Sequence, residues 1–459
     1  MKLGDWLDVE RVAELLGNAG LSSAGSRSKA ALLARAAGLL RSDGVPADQA
    51  TVGCFCPGRL EVLGKHTDYA GGRSLIAAPE LGVAMILCEG LPGRIRALSA
   101  QDQEACDFVI DGDDAASTQG WGLYPATVLR RLARNFPKVQ LGSRLACASD
   151  LPLAAGMSSS SALMTATFLC LTRLVGIDRD ARFGAIIQDR TDLAMFISCV
   201  ENGQSFGPFD GRLGVGTFGG SEDHTAMLCG QAGHLSQYSY APISLERQLA
   251  LPAGLTFVVA QSGVTAEKSA GAREAYNRLS LMVRELTDLA HGLLEEGSPP
   301  PPSLAAYLSG HTDHGDHLVH AIQQGGRALQ HDPDHLLKRL QHFRLENEQL
   351  IPLWPEKWGP DSMGLVGDLA EQSTLAARDL LGNQVAETVW LTEALRRAGA
   401  IAASPFGAGF GGSVWALIPE DQFGSLSENL RGQSAPNPAL QAALAQIQTV
   451  ALGPGALVF

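Results

Sequence analysis

Pro57-Gly58-Arg59-Leu60-Glu61-Val62-Leu63-Gly64-Lys65-His66-Thr67-Asp68-Tyr69-Ala70-Gly71-Gly72 is the stretch on which the reading of this chain turns. A strand-like run ends at Gly64, and four polar side chains follow at once. Such a turn projects Lys65, His66 and Asp68 into one small volume. A cation, an amphoteric imidazole and a carboxylate side by side suit a polyhydroxyl ligand, whose every hydroxyl both donates and accepts. Turn residues are also polar by default, so the pattern by itself leaves a solvated hairpin turn open.

Two later stretches have the same character. In Asp150-Leu151-Pro152-Leu153-Ala154-Ala155-Gly156-Met157-Ser158-Ser159-Ser160-Ser161-Ala162, a glycine-containing loop runs into a helix whose first turn holds only small hydroxyl residues. Free N–H groups, the positive end of the helix dipole and serine hydroxyls make a phosphate cradle. It lacks the Gly-Lys-[Ser/Thr] ending of a P-loop, and a serine N-cap before a core helix is the plainer alternative. The third stretch, Pro405-Phe406-Gly407-Ala408-Gly409-Phe410-Gly411-Gly412, has four glycines in eight residues. Glycine there permits close backbone approach to a ligand or another loop; a sheet-corner turn is the alternative.

Length and composition bound what surrounds these stretches. At about 150 residues per domain, 459 residues predict two or three domains. Hydrophobic residues make up 45% and charged residues 18%, so there is ample material for a core and wholesale disorder is excluded. The net charge of −13, without a basic stripe, argues against nucleic acid or an anionic membrane as partner. The opening Met1–Leu16 stretch has acids where an export signal needs an apolar core. The uncharged stretches 151–172 and 398–419 carry serines or are broken by Gly and Pro, and neither reads as a membrane span. Eight cysteines between Cys54 and Cys229 read as buried thiols of a cytoplasmic protein.

Along the chain, Val9, Val12, Leu15 and Leu16 share one helical face, and Leu32, Leu33, Ala36, Leu39 and Leu40 another, predicting a helical extension over 1–45. Short strands and glycine turns begin at Thr51. Helices are predicted over 120–136, 158–174, 272–294 and much of 304–349, and strands over 144–149, 255–260 and 401–404. Without a strict βαβ rhythm this predicts an α+β fold with mixed sheets. The Ser298-Pro299-Pro300-Pro301-Pro302-Ser303 run reads as a surface linker or loop, and a domain break is predicted near 230–250.

In this order and spacing, the three stretches resemble the three motifs of the galactokinase, homoserine kinase, mevalonate kinase and phosphomevalonate kinase (GHMP) superfamily, and the first resembles the galactokinase signature. The resemblance implies two α+β lobes with ATP and sugar in the cleft between them: after the extension, an N-terminal kinase domain over 46–235 and a C-terminal one over 236–459. It implies a galactokinase-type sugar 1-kinase using ATP and Mg2+, a cytoplasmic monomer or weak dimer. Carried over by residue, it implies sugar contacts from Arg59, Lys65, His66, Asp68 and Tyr276. The catalytic carboxylate of a G-x-x-D-Q-type turn matches Asp223 in Gly220-Ser221-Glu222-Asp223-His224, with Arg59 keeping it ionised. If that segment is extended, Glu222 points the other way. Nucleotide contacts fall on Ala154, Gly156, Ser158, Ser159 and Ser160, with Trp121 and Tyr124 flanking the base, and the magnesium ligands on Ser159 and Glu201.

The signature departs from the family at Lys65, where the implied residue is a glutamate accepting from the sugar's 6-hydroxyl. A lysine only donates, and it carries the opposite charge. It could pair with Glu61 or Asp68 in an ordinary hexose site, mark a non-catalytic sugar sensor, or meet an anionic C6 group such as the carboxylate of galacturonate. Last, His311, His314, His317 and His320 recur every three residues. That spacing drifts around a helix, so the four cannot bind one ion, and a surface helix is the expectation.

Overall fold

The computed structural model describes residues 1–101, 105–109, 120–152, 156–265, 270–325, 329–359 and 362–459. Its helices and strands are mixed, in three sheets, as an α+β fold requires. In the six-stranded sheet, Gly82–Glu89 is flanked antiparallel by Thr51–Pro57 and Ser143–Ser149, and Arg94–Ser99 runs parallel to Ser143–Ser149. The last strand of the chain, Leu457–Val458, closes one edge against Thr51–Pro57.

Side chains alternate across this sheet, as a pleat demands. Cys54, Cys56, Met85, Leu87, Leu145 and Cys147 face the main core, which the helices Leu123–Asn135 and Ser159–Val175 cover. Phe55, Ala84, Ile86, Cys88 and Ala146 face a second cluster supplied by the extension. There the helices Val9–Asn18 and Ser23–Ser42 lie on the sheet as the apolar periodicity predicts. With both faces covered, the middles of these strands are apolar on both sides.

The extension is tied down by polar contacts as well. Trp6 is fully buried, its ring meets Phe459 edge-on at 6.3 Å, and its Nε1 donates to Thr51 Oγ1 at 2.8 Å. Buried Lys29 pairs with Asp150, the residue from which the chain enters the serine-rich loop. Glu80 accepts from both the backbone N–H and the hydroxyl of Ser22.

A second sheet carries the signature turn. Leu60–Leu63 pairs with Arg73–Ala77, which pairs with His234–Ser239 and through it with Ser244–Ala250. His234–Ser239 lies across the boundary predicted at 235. A third sheet places Ser413–Pro419 between Ala402–Pro405 and Leu255–Gln261, with the glycine-rich loop joining Ala402–Pro405 to Ser413–Pro419. Behind the signature turn, the helices Ala270–His291, Leu304–Gly310, His314–Gln324 and Pro333–Arg344 share a core of their own that includes Ala70. Among the described residues no helix is long and apolar enough to cross a membrane.

Trp6→Ala removes the largest side chain of the second cluster and leaves a cavity against the sheet. We expect a loss of about 3–5 kcal/mol, read as a lower urea midpoint. A loss well under 1 kcal/mol would mean that the extension is not part of the cooperative fold.

Candidate active site

Local backbone geometry sorts the side chains of the signature turn. Gly64 has φ +107, and a Cβ there would lie 2.5 Å from Cβ of Ser74, so only glycine fits. His66 is also left-handed, at φ 57. Thr67 Oγ1 closes the turn by donating to Gly64 O at 2.8 Å and Arg73 O at 2.5 Å. The outcome is that His66 and Asp68 line a cavity of about 160 Å³ while Lys65 does not. That volume is an order of magnitude above the ~10–15 Å³ one water needs, so a small polyol has room.

Arg59 anchors the opposite wall. It is 5% exposed, its Nε donates to Asp223 Oδ1 at 2.7 Å, and a terminal nitrogen donates to Gly156 O at 3.1 Å. One guanidinium thus joins the start of the signature to the carboxylate turn and to the serine-rich loop. Asp223 sits in the first turn of the helix Glu222–Cys229. Because that turn is helical and not extended, Glu222 does not point away as predicted: its Oε1 lies 3.3 Å from Arg59 Nε. Gly220, just before it, is obligatory, since a Cβ there would fall 2.2 Å from Asp68 Oδ2.

The electrostatics divide these acids into two kinds. Burial pushes the Asp223 carboxyl up, but the Arg59 charge and hydrogen bonds from Ser158 and Arg59 outweigh it and hold the carboxyl below its ordinary value. Asp223 is therefore ionised at neutral pH. Glu222 is pushed well above the ordinary carboxylate range, first by burial and then by the neighbouring Glu61. Glu61 is also raised by burial, against the charges of Arg59 and Lys65 and a hydrogen bond with Glu222. Both carboxyls are thus biased toward the neutral form beside the charged Arg59. Asp68 is raised by burial, against the Glu222 N–H that it accepts at 3.0 Å.

The serine-rich loop faces this group. Ser158, at φ 57, precedes the helix Ser159–Val175, and Gly156, Ser158, Ser159 and Ser160 line the cavity with Glu201. Glu201, near the end of the helix Arg190–Asn202, accepts from Ser161 Oγ at 2.9 Å. Nε2 of His224 lies 3.2 Å from the same carboxylate, without the alignment of a hydrogen bond. One carboxylate with serine hydroxyls is a sparse all-oxygen donor set, of the kind Mg2+ accepts when it keeps waters and phosphate oxygens. The residues present fit that ion.

Ten of the predicted site residues thus meet at one cavity: Arg59, His66, Asp68, Gly156, Ser158, Ser159, Ser160, Glu201, Asp223 and Tyr276, whose ring centre is 5.2 Å from that of His66. Ala154 lies outside the described residues. Trp121 and Tyr124 do not line the cavity and pack, half-buried, against the main core. Lys65 is the clear correction. Its Nζ is fully buried and donates to Ser373 Oγ at 2.8 Å and Ser404 Oγ at 2.9 Å, pointing to neither sugar cavity nor Asp68. Ser373 passes the contact to Glu346, whose other oxygen accepts from Gly64 N at 3.2 Å.

Sequence reasoning missed Glu61, Tyr69, Ser161, Glu222 and Ala408 as parts of this site. Period two from Arg59 would have found Glu61. In the histidine-rich segment, His314 stacks on Tyr307 at 4.3 Å. Among the described residues, no group of three or more His, Cys, Asp or Glu is placed to hold a metal.

Comparison with known proteins agrees with this geometry. The family model for the galactokinase galactose-binding signature matches residues 46–88, and that for the GHMP kinase N-terminal domain matches residues 124–210. A galactokinase of Lactiplantibacillus plantarum is 25% identical over 390 residues, covering 82% of this chain and 88% of the relative. One from Haemophilus influenzae is 25% identical over 379 residues, covering 80% and 85%. Among solved structures, galactokinase of Lactococcus lactis complexed with galactose superposes with a TM-score of 0.67 at 19% identity, over 89% of this chain and 95% of the other. Mevalonate kinase of Methanococcus jannaschii does so with a TM-score of 0.52 at 10% identity, over 89% and 99%, which extends the likeness in fold across the superfamily. With the signature and the serine-rich loop both matched, in order, and galactokinases aligned over most of its length, the chain carries a galactokinase-type galactose-binding signature followed by a GHMP kinase N-terminal domain.

Proposed function

We propose that this sugar kinase is an ATP-dependent sugar 1-kinase whose substrate is galactose or a closely related uncharged hexose. One observation carries the reading: an ionised carboxylate, Asp223, held by Arg59 at 2.7 Å, faces the serine-rich helix N-terminus across one small cavity. Asp223 takes the proton of the anomeric hydroxyl as that oxygen attacks the γ-phosphorus of ATP, and the bond to the β–γ bridging oxygen breaks to release ADP. Arg59 keeps the base ionised beforehand and offsets charge during transfer. The N–H groups that open the helix Ser159–Val175, together with the hydroxyls of Ser158–Ser160, hold phosphate oxygens. Glu201 and the serine hydroxyls are the residues that would hold Mg2+, which when bound neutralises charge at the transferring phosphate. His66, Asp68 and Tyr276 wall the sugar end. Galactose is favoured because the signature matched and the relatives aligned are those of galactokinases.

Two other readings lose support. A non-catalytic sensor would lack part of the base or the loop, and here both are present in one cavity. A C6-carboxylate substrate needed Lys65 in the cavity. Among the lining residues the one Arg or Lys is Arg59, and it is already paired with Asp223, which leaves a substrate carboxylate no cation to meet. The free cysteines fit a reducing cytoplasm.

A coupled ATPase assay over hexoses, pentoses, uronic acids and amino sugars tests the reading; no turnover of any uncharged hexose would overturn it. Asp223→Asn is nearly isosteric but cannot take a proton, so kcat should fall by about 10²–10⁴-fold while calorimetry still registers sugar and ATP. Substantial turnover would remove Asp223 from the mechanism. Since Asp223 is held below the ordinary value of about 3.9, its protonation should add no acid limb to kcat/KM between pH 5 and 8 in the wild type, on the order of one ionised base throughout that range.

For Lys65→Glu we expect an unchanged ratio of kcat/KM between galactose and galacturonate, together with a lowered melting temperature. The new carboxylate would be buried near Glu346 and would deprive the Ser373 and Ser404 hydroxyls of their donor. A ratio that moves strongly toward galactose would return Lys65 to the substrate site.

A further inference from the structure

Arg339, in the helix Pro333–Arg344, is a fully buried cation with no carboxylate within ion-pair distance among the described residues. An uncompensated guanidinium is expensive to bury, so its contacts bear on why it is there. One terminal nitrogen donates to the backbone oxygen of His66 at 2.5 Å and approaches the Tyr69 hydroxyl at 3.4 Å. The guanidinium also lies over the Tyr69 ring, 5.7 Å from its centre. Both contacts are to the signature turn, at the residue whose backbone is left-handed.

From there the hydrogen bonds run in one direction. Nε2 of His66 lies 3.0 Å from the carbonyl oxygen of Ala408, and Nδ1 lies 2.8 Å from the Tyr69 hydroxyl. A carbonyl oxygen only accepts, so Nε2 carries the proton. Burial and the nearby Arg339 push His66 down to about 3, so the ring is neutral and Nδ1 is an acceptor. The Tyr69 hydroxyl therefore donates to Nδ1, and its own oxygen is left to accept from Arg339. Arg339, Tyr69, His66 and Ala408 form a relay from the helical subdomain, through the signature turn, to the glycine-rich loop. Both ring nitrogens of His66 are used within the protein, and the ring bridges the two segments that close the sugar end of the cavity.

We propose that Arg339 is a positioning residue for the sugar: through Tyr69 it fixes the His66 ring against Ala408 and so sets the spacing between the signature turn and the glycine-rich loop. The inference rests on the sugar-kinase reading above. It acts through His66 and touches no reacting atom, so its signature is selective. Removing it should loosen sugar binding and leave the phosphate side alone.

The test compares wild type, Arg339→Met and Tyr69→Phe in the full chain. We expect both variants to raise KM for the sugar by on the order of 10-fold to 10²-fold, with kcat and KM for MgATP nearly unchanged. The ¹⁵N resonance of His66 Nδ1 should move in both, since each removes or releases its donor, while Nε2 stays protonated. Arg339→Lys should recover part of the sugar KM, because it keeps the charge and one donor. If Arg339→Met fails to fold, Tyr69→Phe, which keeps the ring, decides. An Nδ1 resonance or sugar KM that does not move in Tyr69→Phe overturns the relay, as does a uniform loss in all parameters that follows melting temperature. Should the wild type turn over no sugar at all, the proposed function fails, and the Nδ1 resonance still judges the relay by itself.

Discussion

The contact between Arg59 and Asp223 organises the rest of the site. A guanidinium 5% exposed needs carboxylates around it, and three reach it from two elements distant in sequence. Burial alone would weaken the charged form of Arg59; Asp223, Glu61 and Glu222 reverse that and raise its pKa. The same arginine also holds the Gly156 carbonyl. The carboxylate turn, the serine-rich loop and the start of the signature are therefore not placed independently. Each is positioned by a bond that one side chain makes, which is how a site assembled from residues 59, 156 and 223 keeps its geometry.

Three carboxyls cannot all ionise around one guanidinium in a buried place. The protein resolves this by giving them different neighbours. Asp223 receives the Arg59 Nε directly and a Ser158 hydroxyl, and it stays charged. Glu61 and Glu222 are buried as neighbours, and both are pushed up toward the neutral form. The separation matters for chemistry, because a base must be ionised and its neighbours must not compete for the proton it takes. Position in the helix turn does the sorting: Glu222 and Asp223 are adjacent in sequence, yet only Asp223 has the stronger arginine contact.

Local pattern made much of this legible. Apolar periodicity located the extension, and the serine-rich loop and its helix fell within a residue or two of the prediction. The three motifs do converge, because each is a loop whose glycines or small residues permit close approach. What could not be read was where side chains point once the turn folds. Lys65 and His66 are neighbours in sequence, but Gly64 and His66 both take left-handed backbone, and this sends the two side chains to opposite sides. The extended geometry assumed for Glu222 failed for a related reason, since the glycines before it lead into a helix. Arg339 had no signal at all: it lies in an ordinary amphipathic helix, and its role comes from a contact made across 273 positions of sequence.

Lys65 and Arg339 share one physical property that clarifies both. Each is a fully buried cation behind the signature turn, and among the described residues neither has a direct carboxylate partner. Lys65 reaches Glu346 through Ser373, and the terminal nitrogens of Arg339 meet a carbonyl, a phenol and an imidazole. On the cavity side of the same turn, Arg59 has Glu222 and Asp223 within ion-pair distance. The turn thus has Lys65 and Arg339 on one side and the Arg59–Asp223 pair on the other. The field of those two cations favours the ionised form of a base across the turn, while the hydroxyl bonds keep them from competing for Asp223. On this view the lysine in the signature is neither a lost contact nor a new one to the sugar. It is part of the charge held behind the turn, across from the Arg59–Asp223 pair.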